Sequence, residues 1–349
     1  MSYANAGIIA RLVSWAAPAV ALAVTPAISQ ELDEVTAGTS WLAQAEHGGF
    51  YQALADGTYE KYGLKVTIMM GGPSAPNTAR LIAGQIDFLQ GGTLGAFDYV
   101  AQKVPTLAVA GMFQKDPISL LTHPEKGFND LGDLASLKTI YLSGSGYDTF
   151  WRWMKAKYEG FDDSLYAPYN YNPGPFLADL DAAQQSYVTS EPFDIANKAG
   201  WEPKAFIFAD YGYNGYANEI HTQQKLVDEN PDLVQRFVDA TAIGWYNYLY
   251  GDSTAANELM KKDNPEMTDE QIAYSIEAMK KLGIVNSGMA LEKGVGCVTA
   301  DRYALFFEDM VEAGVLDAGL DYKKAFDTRF TCKGVGMDLY PDAVSSSTD

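Results

Sequence analysis

Basic residues are scarce in this sequence: 25 Lys and Arg stand against 45 Asp and Glu in 349 residues, a formal net charge of -20. A surface that grips nucleic acid needs a concentrated excess of cations, so the balance argues against that partner. Histidines number three, His47, His123 and His221, and cysteines two, Cys297 and Cys332. Neither set has the spacing of a zinc site, no Ser-His-Asp order or dinucleotide fingerprint stands out, and a metal centre is not expected. Long apolar runs are missing beyond the first 30 residues, so no later stretch is expected to span a bilayer.

The one apolar run, LVSWAAPAVALAV, follows Arg11 and precedes the small residues around Ala27-Ile28-Ser29. That order is the pattern of a cleaved export signal over residues 1–29; Pro18 and Pro26 and the shortness of the run weigh against a membrane anchor. In an exported protein Cys297 and Cys332 could pair, closing a loop of roughly 35 residues worth about 3 to 4 kcal/mol on the chain-entropy model; buried free thiols are the alternative. With 47% hydrophobic residues the rest reads as globular and long enough for two domains.

The stretch Trp41 to Ile68 organises the chain. It reads as a strand over Thr39 to Ala45, a turn at Glu46-His47-Gly48-Gly49, a helix from about Phe50 stopped at Gly57, and a second strand in which Leu64, Val66 and Ile68 alternate with polar residues. Strand and helix alternate onward through Ile86–Leu89, Leu94–Gln102 and Thr106–Phe113. A second such block follows His123-Pro124, with a strand at Thr139–Leu142, a helix at Thr149–Tyr158, a loop at Tyr166–Pro175, a helix at Ala178–Ala183 and strands at Gln184–Val188 and Lys204–Ala209. Helical periodicity dominates from Glu219, and the serine-rich end reads as a disordered tail over residues 341–349. The expected class is α/β with mostly parallel sheets.

Three stretches carry a resemblance. Gly57 to Ile68, as G-x-Y-x-x-x-G-L-x-V-x-I, the segment Gly84-Gln85-Ile86-Asp87-Phe88 and Asn230-Pro231-Asp232-Leu233-Val234 with Gly244-Trp245 resemble the periplasmic solute-binding proteins of ABC importers for nitrate, sulfonates, taurine and thiamine-pyrimidine precursors. The resemblance implies a two-lobed periplasmic binding protein fold of type II, with residues 38–122 and 210–340 in lobe one and 123–209 in lobe two. It implies a soluble, monomeric, periplasmic protein without cofactor, which closes by hinge bending on a small solute and delivers it to permease subunits in the inner membrane. A pyrimidine-synthesis enzyme of the same fold is the alternative class. Binding without catalysis is expected, because such an enzyme would carry a cysteine-rich stretch that this chain does not have.

The expected ligand contacts lie on turns leaving strands, where backbone N–H groups point into the crevice. In lobe one these are Trp41, Gln44, Glu46 and His47, then Gly92 and Thr93, and Gln114 at the crossing. In lobe two Ser143, Ser145, Gly146 and Tyr147 form an acceptor-binding cradle at a helix start, with Tyr187, Ser190, Glu191 and Tyr213 opposite. Glycines 48 and 49 are expected to let backbone approach the ligand. Because Glu46, His47 and Glu191 outnumber nearby cations, a polar heteroaromatic solute such as a thiamine-pyrimidine precursor is favoured over a sulfonate, taurine or nitrate.

Overall fold

Leu64 and Val66 turn inward while Lys65 and Thr67 stay exposed, the period of a strand with one face in the core. Thr106–Phe113 is instead buried along its whole length. It lies at a sheet edge, and single bridges from Gly296 and Phe326 cover it there. In the computed structural model, which describes residues 1–2, 31–72 and 75–341, these strands belong to two five-stranded sheets. The expected signal peptide and all but residue 341 of the expected tail lie outside the described residues, apart from residues 1 and 2.

The first sheet comprises β1 (Asp33–Gly38), β2 (Leu64–Met69), β3 (Phe88–Gly92), β4 (Thr106–Phe113) and β10 (Ala217–Gln223), in the order β2-β1-β3-β10-β4. The second comprises β5 (Ile118–Thr122), β6 (Thr139–Leu142), β7 (Tyr166–Pro168), β8 (Ala182–Tyr187) and β9 (Lys204–Ile207), in the order β7-β6-β8-β5-β9. In each sheet one strand runs against its neighbours, β10 in the first and β5 in the second. Both are the strands that arrive from the other lobe, through residues 114–117 and 208–216. The carboxyl ends of the remaining strands therefore meet at the crossings, the place where open α/β sheets bind ligands.

Several expectations change. The first strand is Asp33–Gly38, and Thr39–Gln44 is the loop that follows it. The boundary expected at residue 122 falls one strand too late, because Ile118–Thr122 pairs with β8 and β9. Ala217–Gln223 is a strand where helix was expected from Glu219; the polar residues that broke its alternation, Glu219 and His221, are buried and bonded to each other. The expected helix at Ala178–Ala183 lies earlier, at Gly174–Ala178, and Ala182 already belongs to β8.

One core joins the first sheet to the helix Pro231–Tyr250, with the Phe88 and Phe237 rings stacked 4.0 Å apart. Glycines 48, 49 and 244 let the helix Gly48–Ala55 cross Pro231–Tyr250 closely: a Cβ at Gly48 would lie 2.0 Å from the Tyr248 ring and one at Gly49 2.4 Å from Trp245. Their role is helix packing, in place of the ligand approach expected from the sequence. A second core runs across both sheets, from Phe97 through Phe306 to Trp151 and Trp153. Cys297 and Cys332 form a disulfide, which ties the segment before the helix Ala300–Glu312 to the C-terminal loops.

Candidate functional site

The turn after β1 brings Glu46 to the junction of the lobes. A short 3-10 turn, Ala45–His47, leads into the helix Gly48–Ala55, and Glu46 is only 3% exposed. One oxygen, Oε1, accepts a hydrogen bond from Thr189 of lobe two, whereas Oε2 is buried without a partner. The Glu46 carbonyl accepts from Gln90 and Asn218, which fixes the turn against β3 and β10. Burial pushes the Glu46 carboxyl up to about 7, the Thr189 hydroxyl opposing the shift.

Glu191 stands on the other lobe at the start of the helix Glu191–Ala199. Its Oε2 accepts from the Tyr187 amide at 2.8 Å, and burial with the nearby Glu46 charge raises it to about 7 as well. Tyr187 lies within electrostatic reach of Asp116, Glu46 and Glu191, and burial holds its hydroxyl well above the usual phenol range. Asp116 sits in the first crossing segment; burial raises it to about 6 against the pull of Arg302. The charges of these three carboxyl groups all act on Tyr187.

Cations near them are already engaged. Arg302 donates to the carbonyls of Gln114, Asn214 and Gly215 and stacks on Tyr216, and Lys115 pairs with Asp210 at 2.6 Å. His47 is 2% exposed, its Nδ1 accepts from the Gln44 amide at 3.3 Å, and burial lowers it to about 3, so the ring is neutral.

The other expected residues divide. Gly92, Thr93 and Tyr213 line a cavity of about 100 Å³ together with Asp116, Tyr216 and Phe306. Thr93 is also a structural tie, taking the Tyr216 amide on its hydroxyl and donating to Glu219. Tyr213 packs against Trp153 and Phe306 in T-shaped pairs and is 6% exposed. Gln114 donates to the Gly111 and Cys297 carbonyls while its Oε1 is buried without a partner. Ser190 accepts from Gln271 at 3.4 Å, and Trp41 meets Tyr171 of lobe two at 4.9 Å between ring centres.

Part of the cradle expected at residues 143–147 is taken up by bonds within the protein. Ser143 Oγ accepts from the Gly146 amide, the Ser143 amide donates to Gln185, and a Cβ at Gly146 would strike Phe150 and Gln185. Ser145 is exposed, and Tyr147 packs on Tyr166 at 4.5 Å. Sequence reasoning missed Asp116, Thr189, Asn218 and the ring of Tyr171. Asp116 had a signal in its place between Lys115 and Pro117, directly after β4; Tyr171 had one in the run Tyr166–Pro175, rich in Tyr, Asn and Pro.

The sequence model of the family described as NMT1/THI5 like matches residues 44–256, more than half of the chain, and the chain belongs to that family. A curated relative, the riboflavin-binding protein RibY of Chloroflexus aurantiacus, is 23% identical over 334 residues, covering 91% of this chain and 92% of the relative. Among solved structures, the aliphatic sulphonate binding protein SsuA of Escherichia coli superposes with a TM-score of 0.63 at 13% identity, over 84% of this chain and 91% of that one. The nitrate-binding protein NrtA of Synechocystis PCC 6803 gives 0.56 at 14% identity, over 91% and 90%. The desulfurization enzyme DSZB has the same fold, with a TM-score of 0.53 at 14% identity, over 85% and 97%. These likenesses establish the two-lobed periplasmic binding protein fold.

Proposed function

We propose that this member of the NMT1/THI5-like family is the exported substrate-binding component of an ABC importer, which captures a small polar heteroaromatic solute between its lobes and hands it to permease subunits. A thiamine-pyrimidine precursor is the leading candidate, and the flavin named in RibY belongs to the same broad class. The observation that carries the reading is one buried carboxyl from each lobe near the junction, Glu46 bonded to Thr189 across it and Glu191 to the Tyr187 amide, neither paired with a cation among the described residues. Such a pair accepts from ring N–H and amino groups and repels an anion. Trp41 and Tyr171 supply aromatic surface at the same junction.

The named ligands of SsuA and NrtA favour the alternative of a sulfonate or nitrate. Against it stands the engagement of Arg302 and Lys115 with protein groups. Catalysis is not proposed, since the candidate contacts include no nucleophile held beside a base. Among the described residues no helix is long and apolar enough to cross a membrane, which accords with a protein acting beside the permease.

A thermal-shift panel on the protein tests this. An aminopyrimidine or flavin at about 100 times its dissociation constant should add about 2.7 kcal/mol of stability. A shift with taurine, an alkylsulfonate or nitrate, and none with any heteroaromatic compound, would reverse the choice, and turnover of a bound compound would replace binding by catalysis.

A further inference from the structure

The two chain crossings between the lobes converge on one side chain, Arg302. Thr299 caps the helix Ala300–Glu312, its hydroxyl accepting from the Arg302 amide at 3.4 Å, and this sets the guanidinium against residues 114–117 and 208–216. Arg302 Nη2 donates to the Gln114 carbonyl of the first crossing at 2.6 Å and to the Gly215 carbonyl of the second at 3.0 Å. Nε donates to the Asn214 carbonyl at 2.8 Å, and the guanidinium lies 4.0 Å from the centre of the Tyr216 ring. Around the cap, the Cys297 carbonyl accepts from Gln114 Nε2 at 2.8 Å and the Thr299 amide donates to the Tyr216 hydroxyl at 3.1 Å. The disulfide to Cys332 ties this segment to the C-terminal loops. Gly215 lets the helix come this near, since a Cβ there would lie 3.0 Å from the Phe306 ring. The crossings are nonetheless not packed solid: a cavity of about 100 Å³ lies against Asp116 of the first and Gly215 and Tyr216 of the second.

A planar guanidinium carries its donors in a fixed fork, so it holds carbonyls from two strands only while those strands keep one relative orientation. Bending at the crossings turns these carbonyls. The lobes are in contact in this arrangement: Ser275 Oγ donates to the Thr189 carbonyl at 2.7 Å, Glu46 accepts from the Thr189 hydroxyl, and the Tyr274 hydroxyl reaches the Val188 carbonyl at 3.3 Å. We propose that Arg302 is a positioning residue for solute capture, a clamp on both crossings that holds the hinge in the closed arrangement without touching the solute. The proposal rests on the reading of the chain as a solute-binding protein, and not on the choice of solute. Because the cavity leaves the crossings room to move, the charged hydrogen bonds of Arg302, and not dense packing, set the angle between them. Lys115 and Asp210 join the same crossings at 2.6 Å, but Asp210 is half exposed and water screens the pair, so its contribution is much smaller.

Small-angle X-ray scattering of the ligand-free protein, read beside release kinetics, tests the clamp. Arg302→Gln should populate an open form with a larger radius of gyration than the parent, and Arg302→Lys, which keeps the charge but not the fork, should fall between the two. Lys115→Ala should scatter like the parent. For whichever of riboflavin and 4-amino-5-hydroxymethyl-2-methylpyrimidine binds the parent, Arg302→Gln should weaken affinity about tenfold, chiefly through faster release, with the association rate within about twofold. An arginine that only stabilises the fold would lower the melting temperature and leave scattering and release unchanged; that result, or a variant more compact than the parent, overturns the proposal. Should Arg302→Gln not fold, Arg302→Lys carries the same signs at smaller size. If neither probe binds the parent, the choice of solute in the proposed function fails, and scattering alone decides the hinge assignment.

Discussion

Two buried glutamates, Glu219 and Glu46, sit in the same half of the molecule and are treated in opposite ways. Glu219, on β10 and 0% exposed, accepts from Thr93 and Tyr303 at 2.7 Å on one oxygen and meets His221 at 2.8 Å with the other. Glu46 has one bond, to Thr189, and a second oxygen with nothing opposite. A buried carboxyl satisfied on both oxygens is part of the scaffold; one left half-satisfied where the lobes meet still has an acceptor to offer, which is why the proposed function uses Glu46. The difference separates residues that hold the site from residues that use it.

The sharpest way to break that comparison is Glu219→Ala. It strands the Tyr303 hydroxyl and the Nε2 of His221 in the core, while Thr93 keeps its bonds to the Tyr216 backbone, and should cost about 3 to 5 kcal/mol in chemical denaturation. Glu46→Gln should cost less than about 1 kcal/mol, because the native carboxyl is already held near neutrality. Equal losses in the two variants would mean that Glu46 is scaffold as well.

Stability against pH gives the next largest effect. Glu46 and Glu191 are raised from 4.5 to about 7 and Asp116 from 3.8 to about 6, so the folded chain keeps protons that the unfolded chain has released. Their contribution is fully present below the unfolded values and is lost as pH rises through about 7. His47, lowered from 6.5 to about 3, works in the other direction, since the unfolded imidazole gains its proton first as pH falls. Three carboxyls against one imidazole leave a net gain on mild acidification. The ligand-free protein should be more stable at pH 5.5 than at pH 8 by on the order of 1 to 2 kcal/mol, and Glu46→Gln should shrink the difference. Melts that rise with pH instead would show that Glu46 and Glu191 ionise freely and face water.

The same contrast explains what could be read from the sequence. The α/β class followed from alternation such as Leu64-Val66-Ile68, and the Glu46 turn followed from its place between apolar runs, because both are local patterns. β10 could not be read, since its inward residues Glu219 and His221 are polar and their partners Thr93 and Tyr303 are 126 and 84 positions away. Glycines 48 and 49 looked like room for a ligand; their real neighbours, Tyr248 and Trp245, lie some 200 residues on, beyond any short-range signal. Thr189 and Asp116 acquire meaning only when the two crossings bring the sheet ends together.

Ser145→Ala makes the smallest change and tests whether lobe two holds its ligand by carboxyl or by cradle. Ser145 is exposed and its hydroxyl meets only Ser143 Oγ, at 3.1 Å, while the Gly146 amide is already taken by Ser143 Oγ. Gly146 cannot shift far, with Phe150 and Gln185 against it. Removing the Ser145 hydroxyl should therefore alter stability by less than about 0.5 kcal/mol and leave affinity for any bound solute within about twofold. A tenfold loss of affinity would mean that Ser143 exchanges its internal bond for one to the ligand, and the carboxyl pair would then be only half of the site.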